Sequence, residues 1–158
     1  ALIHHNLVRN CSSHSLDFDA YTSFSAAYSN VLVDHGQEGI FVEETASGNT
    51  IFNNTIHGAR NGIGVYSNAV GPVQNNMIVG NTITGNRALG ITSGGYGHDP
   101  KKQSQNNIFA SNQLEGNGVG GGSQVNPMHG AVADDFWTDN TIVGSKFPYA
   151  PLPTNYDK

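Results

Sequence analysis

At 158 residues the chain has room for one domain with a continuous core, and 12% charged residues beside 20 glycines is unlike an ordinary helical or α/β domain. A formal charge of −5 with only seven Lys and Arg leaves no basic stripe for phosphates, so nucleic acid is excluded as an expected partner. The single Cys11 excludes an internal disulfide, no Cys/His spacing resembles a zinc site, and no apolar run of about 18 residues offers a membrane span.

In chain order, Ala1-Leu-Ile-His-His-Asn-Leu-Val8 opens a unit that returns four more times. The later copies are Asn49-Thr-Ile-Phe-Asn-Asn-Thr-Ile56, Asn76-Met-Ile-Val-Gly-Asn-Thr-Ile83, Asn107-Ile-Phe-Ala-Ser-Asn-Gln-Leu114 and Asp135-Phe-Trp-Thr-Asp-Asn-Thr-Ile142. Between copies lies an apolar strand: Leu16-Asp-Phe-Asp-Ala20, then Gly39-Ile-Phe-Val-Glu43, Gly62-Ile-Gly-Val-Tyr66 and Gly90-Ile-Thr-Ser-Gly94, with a weaker version opening at Gly120. Strand starts at 16, 39, 62, 90 and 120 give steps of 23, 23, 28 and 30 residues, one solenoid turn per step.

The intervening strands alternate with period two, which points Leu16, Phe18, Ile40, Val42, Ile63, Val65 and Ile91 inward. No segment sustains helical periodicity, so the expected fold is an all-β solenoid of about five to six rungs with three short strands each. Asn6, Asn54, Asn81, Asn112 and Asn140 fall at one place in the repeat, with His35 expected in the sixth. Asn tolerates left-handed backbone and can bond its copy one rung away, about 4.8 Å off, which predicts a structural Asn ladder at a corner.

These repeats resemble those of the pectate lyase-like superfamily of single-stranded right-handed parallel β-helices, over roughly residues 1–145. Residues 146–158 leave the repeat as a Pro-rich tail. Ala1 begins in mid-rung, which is expected of the C-terminal part of a longer β-helix, or of a chain that associates with upstream rungs or another copy. Acceptor patterns at Asn10-Cys-Ser12 and Asn53-Asn-Thr55 fit a secreted or cell-surface location.

Stacked rungs turn sequence spacing into lateral neighbours, so outward positions form columns. One is expected to read Asp17, Phe41, Gly64, Thr92, and the next Asp19, Glu43, Tyr66, Gly94. Carboxylates on adjacent rungs either raise one pKa, giving a general acid, or hold a cation. Asp17, Asp19 and Glu43 are therefore candidate catalytic residues, with Glu44 beside them. The resemblance to pectate lyases implies that the same three acids hold calcium while a basic residue abstracts a proton; Arg60, Arg87 and Lys101 or Lys102 are the candidates.

The loop Tyr96-Gly-His-Asp-Pro100 is similar to the Tyr-Gly-x-Asp-Pro-His motif of alginate epimerases. That similarity implies proton transfer by Tyr96 and His98, although Lys101 holds the place of the motif's own His. Tyr66, Tyr21, Phe41 and Tyr96 are expected as stacking platforms for sugar rings. His4, His5, His14, His35 and His57 show no metal-ligand spacing, and His129 borders the groove only as a reserve candidate.

The expectation from these residues is a polysaccharide-active enzyme on an acidic glycan, acting as a lyase by β-elimination. Glycoside hydrolysis or uronan C5-epimerisation on the same fold are alternatives, as is a non-catalytic carbohydrate-binding or structural module.

Overall fold

A computed structural model of the chain describes residues 1–67, 71–95, 103–119, 122–127 and 135–144. All regular structure among them is strand, and every strand pair is parallel. The first sheet stacks β1 (Leu2–His4), β4 (Ala26–Tyr28), β7 (Thr50–Phe52), β10 (Met77–Val79), β13 (Ile108–Ala110) and β16 (Phe136–Thr138). The second stacks β2 (Leu7–Arg9), β5 (Val31–Val33), β8 (Thr55–His57), β11 (Thr82–Thr84), β14 (Gln113–Glu115) and β17 (Thr141–Val143). The third holds β3 (Leu16–Phe18), β6 (Glu38–Glu43), β9 (Asn61–Ser67), β12 (Leu89–Gly95) and β15 (Ser123–Pro127). Each turn of chain visits the three sheets once before returning beside itself, which is a parallel β-helix, right-handed as parallel crossovers are.

The core is a set of apolar columns. Ile51, Ile78, Phe109 and Trp137 align in the first sheet, and Leu32, Ile56, Ile83 and Leu114 in the second. In the third, Leu16, Ile40, Ile63, Ile91 and Val125 share one inward column. Phe109 and Trp137 stack at 4.0 Å with planes 10° apart, closing the last described rungs with aromatic contact.

Three-residue strands require sharp corners, and each corner follows one rule. A residue with positive φ ends the strand, and the next residue turns its side chain into the interior. Between the first and second sheets the left-handed residues are His5, Ser29, Asn53, Gly80, Ser111 and Asp139. The residues that follow them, Asn6, Asn30, Asn54, Asn81, Asn112 and Asn140, form the ladder: each backbone N–H and side-chain amide donates to the side-chain oxygen of the next Asn at 2.9–3.1 Å. The ladder Asn is therefore not the left-handed residue; its predecessor is.

Asn30 takes the sixth place in this ladder, and the expectation that His35 would do so is corrected. The repeat copy Ser25-Ala-Ala-Tyr-Ser-Asn30 is hard to see because Ala27 stands where the other copies carry Ile, Phe or Trp. His35 lies at the next corner, in line with Cys11, Ala59 and Asn86, as the bonds from Gly36 N to the Cys11 carbonyl, Arg60 N to the His35 carbonyl and Arg87 N to the Ala59 carbonyl fix. A second ladder, Ser25, Asn49, Asn76, Asn107 and Asp135, runs along the third corner.

The glycines that open the third-sheet strands answer to close approach, not to backbone angle. A Cβ on Gly62 would lie 2.5 Å from the Gly90 carbonyl oxygen, and one on Gly90 would lie 2.3 Å from that of Gln124. The last rung differs from expectation in register: Ile91 pairs with Val125, so the strand begins at Ser123, whereas Gly120 lies outside the described residues. The Pro-rich tail lies outside them as well.

Candidate functional site on the third sheet

The outward columns form where the alternation places them. Asp17 pairs with Phe41, Phe41 with Gly64 and Gly64 with Thr92, while Glu43 pairs with Tyr66 and Tyr66 with Gly94. Asp19 does not continue this pairing, because β3 ends at Phe18 and the chain turns: the Asp19 carbonyl accepts from Thr22 N at 3.0 Å, and its carboxylate accepts from Ala20 N at 2.6 Å. Its charge still acts on the neighbouring acids.

Glu43 is the most perturbed of these groups. Burial first, then the charges of Asp17, Asp19, Glu44 and Glu38, push its pKa up to about 7. Asp17 is also raised, by desolvation first, with Asp19 and Glu38 adding to the rise and His14 opposing it. Two carboxyls that are both raised by burial and by the charge of neighbouring acids are candidates for a proton donor and a proton acceptor.

Glu38 belongs to this site and was not singled out from sequence. It is 3% exposed. One carboxylate oxygen accepts from Asn61 Nδ2 at 2.8 Å and from the Tyr66 hydroxyl at 2.9 Å, and the other lies 3.0 Å from His14 Nδ1. Gly64 makes this possible, since a Cβ there would lie 2.8 Å from Tyr66 Cε1 and 3.0 Å from Glu38 Cγ. A signal was present in the sequence: His14, Glu38 and Asn61 each stand two residues before Leu16, Ile40 and Ile63.

A cavity of about 460 Å³ opens over this face, lined among others by His14, Glu38, Glu43, Arg60, Asn61 and Thr92. Asn61 Oδ1 and Thr92 Oγ1 are buried with no hydrogen-bond partner among the described residues. Buried polar atoms of that kind call for a polar partner.

The aromatic residues behave differently from stacking platforms. Phe41 and Tyr66 point outward yet are 3% and 8% exposed, because the His14, Phe41 and Tyr66 rings cover one another at 4.8 and 4.5 Å. Phe41 stacks on His14 and is tilted 45° against Tyr66, which leaves little of the Phe41 or Tyr66 side chain open, though both line the cavity. Tyr21 is 74% exposed but stands on the turn beyond β3, outside the cavity lining. The two arginines divide: Arg60 lines the cavity, whereas Arg87 donates to the carbonyls of Gly58 and His35, both at 2.6 Å. Arg87 thus clamps across rungs. Tyr96, His98, Lys101 and Lys102, like His129, lie outside the described residues.

Among the described residues no group of three or more His, Cys, Asp and Glu side chains gathers as a metal site. The calcium site expected of Asp17, Asp19 and Glu43 is accordingly not formed by these three acids. Asp17 and Glu43 stand in different columns, and Asp19 is drawn into its own turn.

Parallel rungs stacked in register as three sheets define a parallel β-helix of the pectate lyase-like kind. Residues 2–147 match the family described as periplasmic copper-binding protein (NosD), and the chain belongs to that family. No match was found among the curated proteins, nor among the solved structures. No helix among the described residues is long and apolar enough to cross a membrane.

Proposed function

We propose that the chain is an envelope or extracellular β-helix whose third-sheet cavity takes a stretch of polysaccharide, with Glu43 as the proton-handling group. The observation that carries this reading is the cavity of about 460 Å³ on the third sheet, lined by Glu43, Glu38, Arg60 and the unpartnered side-chain oxygens of Asn61 and Thr92, where burial and the neighbouring acids push the Glu43 carboxyl up to about 7. Sugar hydroxyls suit the unpartnered Asn61 Oδ1 and Thr92 Oγ1, and Arg60 suits a uronate carboxylate. β-Elimination on a uronate chain needs a base at C5 and an acid at the leaving oxygen; in this reading Glu43, which lines the cavity, takes one role, and Asp17, in the adjoining column, takes the other. No calcium enters this reading.

The test is to incubate the chain with uronate polymers and with neutral glycans and follow ultraviolet absorbance from unsaturated ends. Absorbance that Glu43→Gln abolishes supports elimination. New reducing ends without absorbance point to hydrolysis, and saturable glycan binding without either product supports a binding module. Neither binding nor turnover on any glycan would overturn the reading.

A second reading rests on a separate observation. Membership of a family described as copper-binding and periplasmic favours a copper-binding role for this chain in the envelope.

A further inference from the structure

His4 and His5 bring two ring nitrogens together, Nδ1 to Nδ1, at 2.9 Å. Consecutive strand residues face opposite sides of a sheet, so neighbouring side chains meet only where the chain leaves the strand. β1 ends at His4, and His5 has a φ of 56°, which swings its side chain back toward that of His4. The same left-handed corner recurs at Ser29, Asn53, Gly80, Ser111 and Asp139, so the fold imposes it whatever the residue.

The rings are also held from the side. Tyr28, which pairs with His4 on the next rung, stacks on the His4 ring at 4.8 Å and meets the His5 ring edge-on at 5.9 Å. Phe52 continues the stack behind Tyr28 at 4.8 Å. Asn6 Nδ2 donates to the His4 carbonyl at 3.0 Å and fixes the corner. Both histidines are exposed to solvent, where a hydrogen bond between two neutral imidazoles contributes little.

A metal ion suits the same gap. Imidazole nitrogens about 2 Å from a metal lie about 2.8 Å apart when they are cis in a square plane, and about 3.3 Å apart in a tetrahedron. The observed separation matches the square-planar case, the arrangement that Cu(II) favours with nitrogen and oxygen donors.

We propose that His4 and His5 form a two-imidazole Cu(II) site on the outer face of the first sheet, with water or a donor from another molecule completing the coordination. This inference rests on the copper-binding reading and gives it a location.

The test is Cu(II) titration of the whole chain at neutral pH, followed by electron paramagnetic resonance with resolved nitrogen hyperfine structure. The unsubstituted chain should bind one Cu(II) through two nitrogens more tightly than Zn(II). His4→Ala and His5→Ala should each lose one nitrogen from the spectrum and weaken binding about tenfold or more. His57→Ala, on the second sheet, should change neither, and far-ultraviolet circular dichroism checks the fold of each variant. Copper held with an unchanged spectrum in both His4→Ala and His5→Ala would overturn the location while the copper-binding reading stands. Failure of the unsubstituted chain to bind copper would overturn both.

Discussion

Asn54 donates both its backbone N–H and its side-chain amide to the side-chain oxygen of Asn81, each at 3.0 Å. Asn81 passes the pattern on to Asn112 and donates as well to the Ile51 carbonyl, again at 3.0 Å. Each rung thereby satisfies the buried polar groups of its neighbour. Asn81→Ala removes the acceptor of two buried donors and the donor of one buried carbonyl. It should cost about 3–5 kcal/mol in chemical denaturation, whereas Thr55→Ala on the exposed face should cost under about 1 kcal/mol. Similar losses for both would mean that the ladder does not hold the corner.

Glu43 gives the site a pH signature. Its pKa rises from 4.5 unfolded to about 7 folded, so the folded chain holds its proton more tightly. Its contribution is fully favourable below pH 4.5 and is lost as pH climbs through 7. Because Glu43 is half-buried, solvent screening reduces the effect. Glu43→Gln should raise the melting temperature at pH 8 by about 3 °C and leave it nearly unchanged at pH 4. Equal shifts at both pH values would show that the side chain carries no titrating cost.

The architecture was legible because a solenoid writes its geometry into period and alternation: Asp17, Phe41, Gly64 and Thr92 share a column for the same reason that Leu16, Ile40, Ile63 and Ile91 share one inside. Glu38 was obscured by the same alternation. Counting back by two from Ile40 places it among the inward residues, yet its carboxylate reaches Tyr66 over Gly64 on the outer face. Phe41 misled in the other sense, because outward direction does not mean exposure when rings one rung apart cover each other. Arg60 and Arg87 precede equivalent strands, and only the reach of Arg87 to carbonyls on two earlier rungs separates a clamp from a ligand group.

That separation is testable. Arg60→Ala should weaken glycan binding and leave the denaturation midpoint within experimental error, since its side chain is exposed. Arg87→Ala should do the reverse, costing about 1–3 kcal/mol through two lost charge-assisted bonds while glycan affinity holds. Loss of affinity in Arg87→Ala with unchanged stability would return Arg87 to the binding surface.

His35 supplies an acid sensitivity distinct from that of Glu43. It is 1% exposed, and neither ring nitrogen makes a well-formed hydrogen bond among the described residues. Burial lowers its pKa from 6.5; Asp34 and the Val8 backbone oppose the fall, and Arg87 adds to it. A histidine kept neutral in the fold but free to charge when unfolded stabilises the fold above pH 6.5 and loses that contribution as pH falls below it. Asn86 fills the equivalent corner with an amide whose oxygen accepts from Ala59 N at 2.9 Å. His35→Asn should therefore keep the fold, remove the titrating group, and gain stability relative to the unsubstituted chain as pH drops from 7.5 to 5. Urea denaturation midpoints of both chains at the two pH values give the comparison, in which the falling limb of Glu43 cancels. A constant difference between the chains at both pH values would mean that the buried imidazole accepts its proton without strain.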